Sequence, residues 1–359
     1  MVPRMNPDAS TTTGDDESAA SSWIATRGAL DQVGASSAAR ALWQLSNTLL
    51  PYGLLWYLMV RSIQLEYATG WTLLLALIAA AFLVRIFILF HDCVHGSLFP
   101  SRRANRIVGR LLGLLVLTPF HDWRCSHLRH HATHANLDAR GHGDIWTMTL
   151  SEYRQASAPR RMQYRLYRHP LVLVVLGGLF HFLIQNRFPT PGTGARERRS
   201  VWLTNAAIVS VILLLSEMIG WRTYWRVQLP VIWLAGMSGV WLFYVQHQFS
   251  DSYWARKAHW NPRSAALRGS SYFKLPAVLN WFSASIGFHH IHHLNPRIPN
   301  YRLAPCHRAV PAVQVAKPLT IRDSVRCFHL KCWDERCGRM VPFSPQPPSS
   351  SVDDSPPTF

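Results

Sequence analysis

The 359 residues carry 37 Lys and Arg against 19 Asp and Glu, a formal net charge of +18, and 48% of the chain is hydrophobic. The apolar residues gather into runs long enough to cross a bilayer, which excludes an ordinary soluble domain, and the arginines sit beside those runs, where they meet anionic headgroups rather than nucleic acid. Six cysteines (Cys93, Cys125, Cys306, Cys327, Cys332, Cys337) show no compact disulfide framework, and the N-terminus is too polar and acidic for a cleaved signal peptide, so nothing argues for secretion.

In chain order, residues 1–40 are rich in Ser, Ala, Thr and Asp and are expected to be a disordered tail, as is the Pro/Ser-rich stretch 336–359; residues 41–335 form the single expected domain. Runs at 42–60 and 71–90 each approach the ~20 residues a spanning helix needs, and runs at 201–220 and 228–248 read as a helical hairpin turning near Gly220 and Arg222. Two shorter runs, 106–120 and 170–185, are ambiguous. Histidine clusters near residues 91, 127 and 289 meet on one face only if an even number of crossings separates them, so both short runs are expected to be interfacial or re-entrant. The fold expected is all-α: four transmembrane helices, interfacial helices, and a cap holding a histidine-rich di-metal site. Twelve arginines between Arg102 and Arg168 lie on the cluster side, which places that face in the cytoplasm.

The histidines fall into three groups. His91 and His95 in "HDCVH" are four residues apart, while His127, His130 and His131 in "HLRHH" stand at i, i+3 and i+4, as do His289, His292 and His293 in "HHIHH". Such spacings put side chains on one helical face, whereas His290 lies about a hundred degrees round the helix from His289 and points elsewhere. A lone histidine is as often a packed core residue or a helix-end cation as a ligand. Eight in three spaced groups exceed what one ion accepts, so two metals are implied, with His247 a ninth ligand or an interfacial polar residue. Asp92, Asp138 and Asp144 are candidates to accept the free ring N–H of ligating histidines, with helix-end solvation the alternative for Asp92. His134 and His121 are expected beside the site or at the surface. Cys327, Cys332 and Cys337, with His329 nearby, lack the close pairs of a zinc site. Imidazole clusters bind zinc as readily as iron, so the residues alone leave the metal open. No catalytic group beyond the metal ligands is expected. Unactivated C–H bonds of an acyl chain offer no handle for acid–base catalysis, and a redox metal pair that activates dioxygen suits them.

These boxes, together with "NLDARGHGD", "WLFYVQHQFSDSYW" and "GFHHIHHLNPRIPNYRL", resemble the integral-membrane fatty acid desaturase family over roughly residues 40–335, and more narrowly its bacterial delta-12/omega-6 type. The resemblance implies two non-haem iron ions, O2 as co-substrate and membrane lipid acyl chains as substrate. The implied ligands are His91, His95, His127, His130, His131, His247, His289, His292 and His293. It also implies an integral membrane protein, here of a bacterial inner membrane, with its active site on the cytoplasmic face. Val94 stands where many relatives carry Gly, and the chain lacks a haem-binding "HPGG", so electrons are expected from a separate ferredoxin-like or cytochrome b5-like protein. A tunnel that bends the acyl chain is expected; Trp281, Phe282 and Phe288 are candidates to line it, although ordinary packing or an interfacial belt is the favoured reading for each. The competing functions are a fatty acyl hydroxylase, acetylenase or carotenoid oxygenase on the same scaffold, a divalent-metal transporter, and a metal store. The transporter is disfavoured because the histidines lie at span ends and the spans lack a row of carboxylates.

Overall fold

A computed structural model describes residue 23 and residues 25–344. It is helical, apart from a parallel pair of two-residue strands, β1 (Tyr272–Phe273) with β2 (Pro318–Leu319), and a hairpin of β3 (Cys332–Asp334) with β4 (Arg339–Val341). Helix α1 (residues 25–33) leads into α2 (Ala38–Gln64) and α3 (Thr69–His95). The short helices α4 (Arg102–Leu115), α5 (Phe120–Thr133), α6 (Leu150–Gln155) and α7 (Ala158–Tyr167) follow. A helical stretch α8 (Leu171–Arg187) then precedes the long pair α9 (Ala195–Ile219) and α10 (Trp221–His247).

Among the described residues three helices, α3, α9 and α10, are long and apolar enough to cross a membrane. The fourth expected span, α2, is as long but more polar, because it turns its polar residues inward. Gln44 bonds Asn300 at 2.7 Å, Thr48 accepts from Arg85 at 3.0 Å and Ser62 meets Thr72 at 2.7 Å, while Leu42, Trp43, Leu50, Leu54 and Tyr57 are exposed. Polar groups inside and apolar groups outside are the surface of a helix solvated by lipid. The same logic covers α9, whose Trp202, Leu203, Leu213, Leu214 and Met218 all face outward.

The two ambiguous runs do not make straight spans. Residues 106–120 contribute to the amphipathic 14-residue α4, and α8 is bent by 63° from α7 with two widely wound turns. Glycine lets α8 lie on α10 backbone to backbone: a Cβ at Gly178 would sit 2.5 Å from the Gly236 carbonyl carbon. Helix α3 ends where it does because Gly96 takes the left-handed conformation (φ 75°) and Ser97 N–H donates to Asp92 C=O at 2.9 Å. The stop leaves His91 and His95 on the last turn.

Around this membrane body lies a cap of α5–α7 and the chain from residue 248 onward, including α11 (Pro262–Gly269), α12 (Ala277–Phe282), α13 (His289–Leu294), α14 (Asn300–Ala309) and α15 (Ile321–Cys327). Fully buried Arg168 ties the cap together: it donates to Tyr244 Oη on α10 at 3.1 Å, to Gln248 Oε1 just beyond that helix at 2.9 Å, to Trp146 C=O at 3.2 Å, and to Leu330 C=O at 2.9 Å. Lys331, beside it, donates to Arg168 C=O at 2.6 Å, and burial with the neighbouring guanidinium lowers its pKa to about 8.

Both expected tails are shorter than their composition suggests. Leu30 of α1 is buried among Ile298, Leu303 and Val310, and Tyr301 Oη accepts from Ser37 N–H at 2.8 Å. At the other end, β4 pairs with β3 and Phe343 stacks on Tyr153 with centroids 4.9 Å apart. Sparse apolar residues at these positions find long-range partners that composition does not reveal. The rest of both expected tails, residues 1–22 and 345–359, lies outside the described residues. Trp281, Phe282 and Phe288 make the packing contacts favoured for them: Phe282 and Trp281 pack edge-on against Phe82 of α3 at 5.1 and 5.7 Å, and Phe288 stacks on Tyr272 at 4.7 Å.

Candidate metal centre

The three histidine boxes converge at one end of the long helices. His91 and His95 come from α3, His247 from the last turn of α10, His127, His130 and His131 from α5, and His289, His292 and His293 from α13. They form two groups. In the first, His91, His95, His127, His131 and His292 each bring one ring nitrogen within 4.8 Å of every other. In the second, His130, His247 and His293 do the same, and His289 joins through an Nε2–Nε2 contact of 3.1 Å to His247. All nine histidines singled out from the sequence are therefore placed together.

Proton accounting shows what such a cluster needs. Nε2 of His127 lies 2.9 Å from Nε2 of His95 and 3.2 Å from that of His131, which in turn lies 3.1 Å from that of His292. A ring nitrogen either donates one proton or accepts through one lone pair, so at most two of these three contacts are hydrogen bonds. A cation at the centre satisfies all of them. With metal–nitrogen bonds of about 2.0–2.1 Å, neighbouring donors stand about 2.9 Å apart at right angles and about 3.3 Å apart in a tetrahedron, which brackets the observed contacts. The second group gives the same signal, since Nε2 of His130 and of His293 is buried without a hydrogen-bond partner. Burial, reinforced by the neighbouring imidazoles, holds His127, His131, His289, His292 and His293 well below the ordinary histidine pKa. They are neutral at pH 7, the form that ligates a metal. The donor set fits two metal ions.

The carboxylates divide. Asp144 Oδ1 accepts from His130 Nδ1–H at 2.6 Å with both side chains buried, which fixes the tautomer and turns the Nε2 lone pair toward the second group. Asp92 lies 3.5 Å from His91 Nδ1, too far for a good hydrogen bond, and accepts instead from Asn300 N–H and Nδ2 at 2.7 and 2.8 Å, tying α14 to α3. Asp138 reaches no histidine. It is partly exposed and accepts from Arg256 and from Lys257 N–H at 2.8 Å, which hold its carboxyl below the usual range, and Arg256 also binds Glu335. The expectation for Asp138 fails because the chain leaves α5 after Thr133 and carries this residue out to the cap surface.

His290 points away, as its angular position requires: its Nε2–H donates to Val313 C=O at 3.0 Å, and burial pushes its pKa down to about 4. His134 is buried, donates through Nε2–H to Gly269 C=O at 2.9 Å, and lies 4.5 and 4.7 Å ring to ring from His247 and His293. His121 stands apart, 2.9 Å from an Arg110 nitrogen. Three neighbours escaped the sequence reading: Trp123, stacked on His127 at 4.3 Å, Phe243, 4.8 Å from His247, and Asn300. The helical spacing of Trp123 from His127 in α5 was the one available signal.

Residues 68–324 match the model of the family described as fatty acid desaturase. The chain belongs to the fatty acid desaturase family. It is 44% identical over 303 residues to a protein of Bacillus subtilis (strain 168) named fatty acid desaturase, covering 84% of this chain and 86% of that one. It is 25% identical over 230 residues to the sn-1 oleoyl-lipid 12-desaturase of Synechocystis sp., covering 62% of this chain and 63% of that one. It is also 28% identical over 252 residues to the sn-2 acyl-lipid omega-3 desaturase (ferredoxin), chloroplastic, of Arabidopsis thaliana, covering 65% of this chain but 52% of that protein. This desaturase is thus an oxidoreductase with candidate membrane-spanning helices and histidine clusters suited to metal.

Proposed function

We propose that this desaturase removes two hydrogens from a lipid-borne acyl chain to form a cis double bond, with delta-12/omega-6 regiochemistry, on the cytoplasmic face of a bacterial inner membrane. The convergence of nine histidines into groups of five and four carries the reading. Two iron ions, one held by His91, His95, His127, His131 and His292 and the other by His130, His247, His289 and His293, would supply the oxidising power against unactivated C–H bonds when loaded with O2. The protein's own part is positioning. Asp144 holds the proton on His130 Nδ1, and Asn300 fixes Asp92 beside His91. Trp123 covers a ring face of His127 and Phe243 makes a T-shaped contact with His247, which helps keep water from both. The site lies at the ends of α3 and α10, where an acyl chain arrives from the lipid and small reactants from the aqueous side. The 12-desaturase relative supports the regiochemistry, and the relative named for ferredoxin supports a separate electron donor.

The test is mass spectrometry of total acyl chains after expression, with a ferredoxin system, in a bacterium whose lipids are only saturated and monounsaturated. New dienes with this chain and none with His289→Ala are expected. Hydroxylated chains instead would move the reaction to the sister chemistry. Unchanged lipids, with iron-loaded protein in the membrane and donor present, would sink the proposal.

A further inference from the structure

We infer that the outer face of α11 is the docking surface for an acidic iron–sulfur electron carrier, and that electrons pass from it through the His134 region into the second histidine group. The inference rests on the proposed reaction, whose balance requires external electrons: R–CH2–CH2–R′ + O2 + 2 e− + 2 H+ gives R–CH=CH–R′ + 2 H2O. The carrier supplies the two electrons one at a time, and its cluster is oxidised by one electron at each delivery.

Helix α11 is one helix thick between solvent and the metal ligands. On its outside, Arg263, Arg268, Asn261, Ser264, Leu267 and Val315 line an open groove of about 350 Å3. Neither arginine has a carboxylate partner among the described residues, and both are exposed, with Arg263 over the Trp23 ring and Arg268 over Tyr253. The neighbouring Arg256 is already neutralised by Asp138 and Glu335, so it adds no free charge. On its inside, Gly269 C=O accepts from His134, and a Cβ there would sit 3.0 Å from His134 Nε2. His134 then touches His247 and His293 ring to ring, while the half-buried Trp260 donates its indole N–H to His134 C=O at 2.9 Å. Two exposed arginines without an ion partner among the described residues, around a shallow groove with the exposed Val315, match an acidic protein patch with a small apolar centre. The covalent and hydrogen-bonded path behind them is the feature that selects an electron carrier.

The experiment measures binding of an acidic plant-type [2Fe–2S] ferredoxin to the full chain in nanodiscs by interferometry, at low and moderate salt. The pair R263E/R268E is compared with R102E/R103E, the same charge change on exposed arginines of α4. Expected is at least tenfold weaker ferredoxin binding for the α11 pair, within twofold of unchanged for the α4 pair, with iron content and reduction by dithionite preserved in both. Equal loss in both pairs would mean net charge alone steers the carrier, and unchanged binding in the α11 pair would remove the surface; either result overturns the inference. So would weakened attachment to anionic vesicles with ferredoxin binding intact, which would make these arginines lipid contacts. Because binding is read without turnover, failure of the desaturation reading itself would show separately, as dithionite-reduced protein that makes no diene.

Discussion

Replacing Asp144 by Ala isolates the support of one ligand without touching the ligand. The carboxylate and His130 are buried, with side chains 7% and 2% exposed, and share a 2.6 Å bond. A hydrogen bond to a charged group in such a setting contributes about 1.5–3 kcal/mol, and outer partners of ligating histidines change metal affinity roughly 10–100-fold. The two ranges agree, since each 1.4 kcal/mol is tenfold. Iron retained by the purified variant is measured by elemental analysis across a chelator series, beside Asp138→Ala. Asp144→Ala is expected to lose iron at a chelator concentration at least tenfold lower than the parent, and Asp138→Ala to follow the parent, because Asp138 is bound to Arg256. If Asp144→Ala holds iron as well as the parent, the orienting role is wrong; if Asp138→Ala loses it equally, the effect is a general loosening of the cap.

His127→Ala and His289→Ala test the division into two groups: each is expected to lose roughly one of two irons and all diene formation, by elemental analysis and lipid mass spectrometry. His290→Ala removes a bond to Val313 C=O and no ligand, so its iron content is expected to equal the parent's while its melting temperature falls. Gly178→Val places side-chain atoms against the Gly236 backbone, and overpacking of that kind costs about 1–3 kcal/mol, read as a lower unfolding temperature in detergent. A melting temperature equal to the parent's would refute the close α8–α10 crossing.

The site was legible because its information is local. Spacings of three and four residues fall on one helical face whatever the rest of the chain does, so the histidine faces of α5 and α13 that converge in the structure, and the exception at His290, were readable directly. The four long helices were readable for the same reason, since run length and apolarity are properties of consecutive residues. What escaped depends on distant pairing. Asp144 was one of three candidate carboxylates, and only the folded loop after Gly141 and Gly143, both at positive φ, singles it out by bringing it to His130. Asp138 looked equivalent in sequence and differs only because Arg256, 118 residues away, claims it. Leu30 and Phe343 lie in stretches whose average composition is that of a tail, yet each finds a buried or stacked partner. Packing was the favoured reading for Trp281, Phe282 and Phe288, but their partners, Phe82 and Tyr272, come from other segments and were not readable.

The two histidine groups interleave the chain: the first joins residues 91 to 292 and the second joins 130 to 293, and Arg168 is not satisfied until Leu330 arrives. A ribosome delivers these segments in order, and the spans enter the bilayer long before α13 exists. Neither histidine group can therefore be complete while the chain is still being made, and the histidines of α3 and α5 must wait with their imidazoles open until α13 arrives. On the proposed reading, metal loading becomes a late, post-translational event, and the identity of the ion is decided by what reaches the site in the interval before the cap closes.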